Sequence, residues 1–150
     1  MRLAEKSLAL VALMLMPIVA SALEFRSISS PKAVLYDAPA ITAKKLFILS
    51  QFYPVEVIVN LGGWLKVRDA QGGISWVEAK HLTSKRMVIV IVGQGEMRQS
   101  ADISSNLIAT LEKDVLLEVV DVKRSQGWFK VKHRDGVVGY ILISSVWGFS

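Results

Sequence analysis

Two stretches decide the fold when they are set side by side: GGWLKVRDAQGGISWV at 62–77 and QGWFKVKHRDGVVGYI at 126–141. They align without a gap, pairing Gly63 with Gly127, Trp64 with Trp128, Lys66 with Lys130, Val67 with Val131 and Gly72 with Gly136. Upstream, VEVIV at 55–59 answers LEVVD at 117–121, with two more residues before the Gly-Trp pair in the second copy. Self-similarity over this length marks a duplicated unit.

Each copy is built of short β-branched and aromatic runs separated by turn residues, the pattern of a small all-β barrel or sandwich. Strands are expected at 33–36, 46–50, 55–59, 64–68 and 74–77, and again at 96–98, 107–111, 115–122, 128–133 and 137–141. Gln71-Gly72 and Asp135-Gly136 mark the matching hairpin turns, because glycine tolerates the positive φ that such turns require. One segment carries a competing signal: Ile103, Leu107, Leu111, Val115 and Val119 recur every four residues, the spacing of an amphipathic helix. Its counterpart contains Pro54 followed by Val55, Val57, Ile58 and Val59, which disfavour a helix, so strands are expected in both copies.

Between the copies, MVIVIV at 87–92 is too apolar for a solvated linker and is expected to be a strand buried on both faces. Its simplest place is the closing strand of the first barrel, with Gly93 opening the second. The expected units are therefore 27–92 and 93–150.

The N-terminus has a different character. Arg2 and Lys6 precede an apolar run, then Pro17 and Ala20-Ser21-Ala22, the charged, apolar and small-residue order of an export leader. A signal peptide over 1–22 with cleavage after Ala22 is expected, and with it a periplasmic or secreted protein. The apolar run, interrupted by Pro17, is short beside the ~20 residues of a spanning helix, so membrane contact is expected only through an uncleaved leader.

The chain has no cysteine, which excludes thiol nucleophiles, thiolate metal sites, disulfides and a lipidated N-terminal cysteine. Of the net charge of +5, the leader holds two basic and one acidic residue, leaving +4. Residues 95–150 hold seven of each sign, so the excess is carried by 24–94. A basic exported chain suits an anionic wall polymer or head group, and export argues against nucleic acid.

The motifs LYDAP at 35–39, YPVEVI from Tyr53, Gly63-Trp64, KVRDAQGG from Lys66, Trp76-Val77 and VWG from Val146 resemble the bacterial SH3-type (SH3b) family, in the tandem form found in exported proteins. The resemblance spans about 33–149 and implies two tandem small SH3-like β-barrels after an N-terminal signal peptide. It implies a binding module whose ligand is peptidoglycan or another envelope protein. The early turn of each repeat departs from the family's Arg-Ser/Val-Gly-Pro form, reading Tyr36-Asp37-Ala38-Pro39 and Arg98-Gln99-Ser100-Ala101. A eukaryotic proline-peptide groove would need a second tryptophan after Trp64 and a Pro/Tyr cluster after Val77; the chain has Leu65 and EAKHL there.

Strand alternation supplies the candidate ligand-binding residues. With period two, Trp64, Lys66 and Arg68 share one face while Leu65 and Val67 point into the barrel, and Trp128, Lys130 and Lys132 repeat this opposite Phe129 and Val131. Tyr36, from the LYDAP strand, joins them. Aromatic rings beside cations can stack on a sugar or peptide while holding its carboxylates. The bland alternative is that the tryptophans fold beneath neighbouring loops under lysine stems. Trp76 and Tyr140 are expected in the core, Trp147 is expected to close the C-terminal end, and Glu56 and Glu118 are expected to be solvated.

No catalytic residues are assigned. The only imidazoles, His81 and His133, lie in different repeats, without a second ligand at a metal-site spacing. No metal or cofactor is expected. The favoured function is non-catalytic binding or targeting in the envelope; the alternative is a structural or assembly subunit of an envelope complex.

Overall fold

The computed structural model describes residues 23–149; the expected leader over 1–22 lies outside the described residues. Among the described residues fourteen strands form, in two sets of seven. The first set is β1 (Glu24–Ile28), β2 (Lys32–Tyr36), β3 (Lys45–Ser50), β4 (Pro54–Asn60), β5 (Trp64–Arg68), β6 (Ile74–Glu78) and β7 (Leu82–Thr83). The second is β8 (Met87–Val90), β9 (Gln94–Arg98), β10 (Leu107–Glu112), β11 (Leu116–Ser125), β12 (Trp128–Lys132), β13 (Val138–Leu142) and β14 (Val146–Trp147). A single 3-10 turn precedes β7 and β14, at Ala79–His81 and Ile143–Ser145.

The strand orders are the same in both sheets: β3-β2-β6-β5-β4-β1-β7 and β10-β9-β13-β12-β11-β8-β14. In the first sheet, Leu49 of β3 and Leu82 of β7, at opposite ends of that order, pack on one core with Ile28, Leu35, Val55, Leu65, Val67 and Val77. A sheet whose two ends meet on one core must curl strongly, which is the small barrel the repeat predicts. The second core is Val88, Val90, Met97, Leu111, Leu117, Phe129, Val131, Ile141 and Val146. Burial of each aliphatic side chain contributes about 1.5–3 kcal/mol, and with no cysteine no covalent bond supplements it. The helix-spaced apolar residues of 103–119 fall on β10, β11 and their approaches, as the comparison with Pro54 requires.

The β5–β6 and β12–β13 hairpins close in the same way. Gly72 N–H donates to Asp69 C=O and Asp69 N–H to Gly73 C=O; Gly136 and His133 repeat this with His133 and Val137. Gly72 and Gly136 carry φ of 87° and 99°, the left-handed conformation a three-residue hairpin loop places at its last position. The extra length of the second copy extends β11, which turns into β12 through Gln126 (φ 49°) and Gly127 (φ 83°), a two-residue turn with both φ positive.

The strand at 87–90 corrects one expectation. Met87–Val90 does not close the first sheet: it pairs with β11 and β14, and Val88 and Val90 are fully buried in the second core. Its counterpart in the first repeat is β1, which pairs with β4 and β7. The pairing therefore opens the first repeat at Glu24, ahead of the expected 27, and the second at Met87, ahead of the expected 93. Each repeat uses an opening strand of its own to cover the β4- or β11-side edge of its sheet.

The repeats also touch. The Phe25 and Trp147 rings meet edge to face at 5.2 Å, and Ser27 Oγ donates to the linker carbonyl of Lys85 at 2.8 Å. Gly148 is buried, and a Cβ there would lie 2.8 Å from Met87 C=O and 3.0 Å from Pro54 Cβ.

Candidate functional site

The outward face of β5 and β6 gathers the first repeat's candidate residues. Register places Trp64 opposite Glu78, Lys66 opposite Trp76 and Arg68 opposite Ile74, while Leu65, Val67, Ser75 and Val77 are buried on the other side. Trp64, Lys66, Arg68 and Trp76 are half-buried, so each presents part of its surface. Lys66 Nζ lies 6.0 Å from the Trp76 ring centroid, at the edge of cation–π range.

Tyr36 holds this face from behind. It is 4% exposed and meets the Trp64 ring edge to face at 5.4 Å. Its expected place as a contact surface therefore changes to that of a support, since edge-to-face packing fixes the Trp64 ring from one side. Arg68 is also anchored: its Nη1 donates to Glu56 Oε2 at 3.1 Å. Glu56, expected in solvent, is 7% exposed, the ion pair allowing its carboxylate to be buried. Glu78 faces Lys80 Nζ at 3.5 Å and His81 Nε2 at 3.9 Å, so the patch alternates cation, ring and carboxylate.

The second repeat does not reproduce the patch. Trp128 is 6% exposed and Phe129 beside it fully buried, so the start of β12 is covered on both faces. Trp128, a candidate contact, is thus packed, as the alternative of covered tryptophans has it, and Lys130 and Lys132 stand without an exposed tryptophan. Arg98 takes the place of Tyr36, opposite Tyr140, and its guanidinium donates to Glu96 and to Ser105 C=O. Trp76 and Tyr140, expected in the core, are half-buried on the outer face. Trp76 was within reach of alternation, because the hairpin register sets it directly across from Lys66.

Ser30 Oγ contacts His81 Nδ1 at 2.6 Å, one element of an activated nucleophile. The Glu78 carboxylate at 3.9 Å is too distant to orient the ring by a hydrogen bond, and Ser30 lines neither the cleft beside Met97 and Val137 nor the one beside Phe52 and Lys132. No group of three or more His, Asp or Glu residues spaced to hold a metal occurs among the described residues. Nor is any described helix long and apolar enough to cross a membrane.

The family model of the bacterial SH3 domain matches the chain twice, over residues 29–83 and 92–148. Each match begins just after an opening strand, β1 or β8. Among solved structures, NlpC2 from Trichomonas vaginalis is similar at 14% identity and a TM-score of 0.38, covering 84% of this chain and 48% of that one. NlpC1 from the same organism is similar at 13% identity and a TM-score of 0.39, covering 85% and 46%. An NlpC/P60 family protein from Bacillus cereus ATCC 10987 is similar at 13% identity and a TM-score of 0.38, covering 83% and 56%. The chain thus spans about half the length of these solved proteins. No curated protein matches it.

Proposed function

Because the chain belongs to the bacterial SH3 domain family, with one copy in each half, we propose that it is a non-catalytic binding protein of the bacterial envelope that holds peptidoglycan on the outer face of its first repeat. One observation carries this reading: the half-exposed rings of Trp64 and Trp76 stand beside Lys66 and Arg68 on a single rigid hairpin. Indole faces stack on the apolar side of sugar rings, and the ammonium and guanidinium groups receive carboxylates of the attached peptides. Tyr36 and Glu56 supply the preorganisation by fixing Trp64 and Arg68 before ligand arrives. The export leader expected over 1–22 supports a periplasmic or secreted location for this activity.

Sedimentation with purified insoluble peptidoglycan tests the reading. The mature protein is expected to pellet at low salt, and Trp64→Ala combined with Trp76→Ala to reduce retention at least about tenfold, the loss of roughly 1.4 kcal/mol. Retention unchanged in the double variant rejects the site.

A second reading, as an assembly subunit of an envelope complex, is favoured by the sheet edges. Edge strand β3 exposes Leu46, Phe47 and Ile48, and its counterpart β10 exposes Leu107 and Ile108. Open apolar edges can accept a partner strand. In this case crosslinking in envelope extracts yields a defined heteromeric product and wall fragments retain nothing.

A further inference from the structure

The two repeats can be superposed residue by residue through their pairing. Leu35 lies opposite Phe47 as Met97 lies opposite Ala109, and Ala33 opposite Leu49 as Gly95 opposite Leu111. Ile28 N–H donates to Tyr53 C=O as Val90 N–H donates to Val115 C=O. Phe47 and Tyr53 of the first repeat are thus replaced by Ala109 and Val115 in the second. In the first, Tyr53 packs against the core and its hydroxyl accepts from Ala70 N–H at 3.2 Å, under the β5–β6 hairpin. Burial holds this phenol above its ordinary pKa, so it stays neutral there.

Beside Ala109 and Val115 the second repeat has a hollow of about 360 Å³, lined by Met97, Leu111 and Val137 as well as by Thr110 and Glu112. His133 closes one side, its Nδ1 2.8 Å from Asp135 Oδ1. Val115 and His133 also line the cleft between the repeats, about 770 Å³, so the two spaces join. Lys132 and Arg134 line that cleft, and neither has a carboxylate within ion-pair distance among the described residues. The duplication explains the free lysine. Glu118, which lies opposite Lys132 as Glu56 lies opposite Arg68, faces the linker Lys85 at 3.6 Å instead.

We infer that the second repeat holds a ligand site of its own, separate from the Trp64 face, which takes a short peptide with a free carboxylate and a small aliphatic side chain. The side chain enters the hollow against Met97, Leu111 and Val137, and the carboxylate meets Lys132 and Arg134 at the mouth. Asp114, on the cleft wall, is placed to receive a ligand N–H. The volume lies in the range of small-ligand sites. The site uses no part of the Trp64 patch, so it stands or falls apart from peptidoglycan retention on that patch.

Titration of the ¹⁵N-labelled mature protein with alanyl-alanine and with its C-terminal amide is the test. At millimolar dipeptide the amide resonances of Val115, His133 and Arg134 are expected to shift, and the amidated probe to bind about tenfold more weakly, as loss of one charge-assisted contact implies. Lys132→Gln with Arg134→Gln, both on the surface, should weaken binding to the same degree. Ala109→Phe, which restores the first repeat's residue, should abolish it, while Trp64→Ala with Trp76→Ala leaves it unchanged. Absence of shifts in the native protein, or equal affinity for the two probes, overturns the inference; so does binding unaffected by the Lys132 and Arg134 changes in a protein that still folds. Dipeptide binding lost in the Trp64 and Trp76 variant would also overturn it, by assigning the ligand to the other face.

Discussion

Glu56 and Glu118 occupy the same register position, yet one is buried against an arginine and the other half-exposed against a flexible lysine. The Glu56 side chain is 9% exposed and its partner Arg68 42%, so solvent screens only one end of the pair. Glu56→Gln is therefore expected to lower stability by about 1 kcal/mol, and Glu118→Gln by less than half of that, in urea melts of the purified protein. Asp135 makes a second residue-scale prediction. The Val137 N–H first, and then His133, hold its carboxyl below the ordinary value of 3.8. With the folded value depressed, its stabilisation is present above the unfolded pKa and lost as pH falls through the folded one. The Asp135 carboxyl carbon should titrate by NMR below 3.8, and Asp135→Asn should remove that step from the acid limb of stability. Fluorescence of single-tryptophan variants should place Trp64 nearer to water than Trp128, in line with the unequal burial of two residues that occupy one aligned position.

At the scale of strands, equivalence between repeats makes the tolerance of each position calculable. Gly139 of β13 occupies the place of Ser75 in β6, each opposite a buried valine of the neighbouring strand. A Cβ at Gly139 would lie 2.5 Å from Met97 Cγ and 2.9 Å from the Arg98 carbonyl oxygen, and the backbone cannot yield cheaply. Gly139→Ala should cost about 2–3 kcal/mol in thermal or denaturant melts. Ser75→Ala should instead be neutral or stabilise by up to about 1 kcal/mol, because the Ser75 hydroxyl is buried without a partner among the described residues. Most strands were legible because the duplication converts weak local patterns into a shared one: Pro54 and its β-branched neighbours resolve the helix-spaced residues of 103–119. The strand Glu24–Ile28 was not legible, since buried Ser27, satisfied by the Lys85 carbonyl, breaks its apolar pattern. Without that strand, 87–92 had no counterpart and was assigned to the wrong sheet. Of the site, the Trp64, Lys66 and Arg68 face followed from alternation alone. Burial of Tyr36 and Trp128 depends on what packs over each ring, and the hollow depends on matching Phe47 with Ala109, beyond the gapless alignment.

The described residues form two copies of one sheet, each begun by an opening strand that precedes the span recognised as its family domain. Contacts of Phe25 with Trp147, and of Gly148 with Pro54, then bring the copies together, and the cleft between them is lined from both sides, by Pro31 and Phe52 of the first and Asp114 and Lys132 of the second. Domains of about 60 residues bury little surface, so removing two fully buried valines and the hydrogen-bond ladders to β11 and β14 should be decisive. The most direct test is the amide NMR spectrum of two fragments, 84–150 and 93–150. The fragment that keeps Met87–Val90 is predicted to give the dispersed resonances of a folded β protein, and the one that lacks it to collapse to the narrow spectrum of an unfolded chain. Dispersed, native-like resonances from 93–150 would contradict the account.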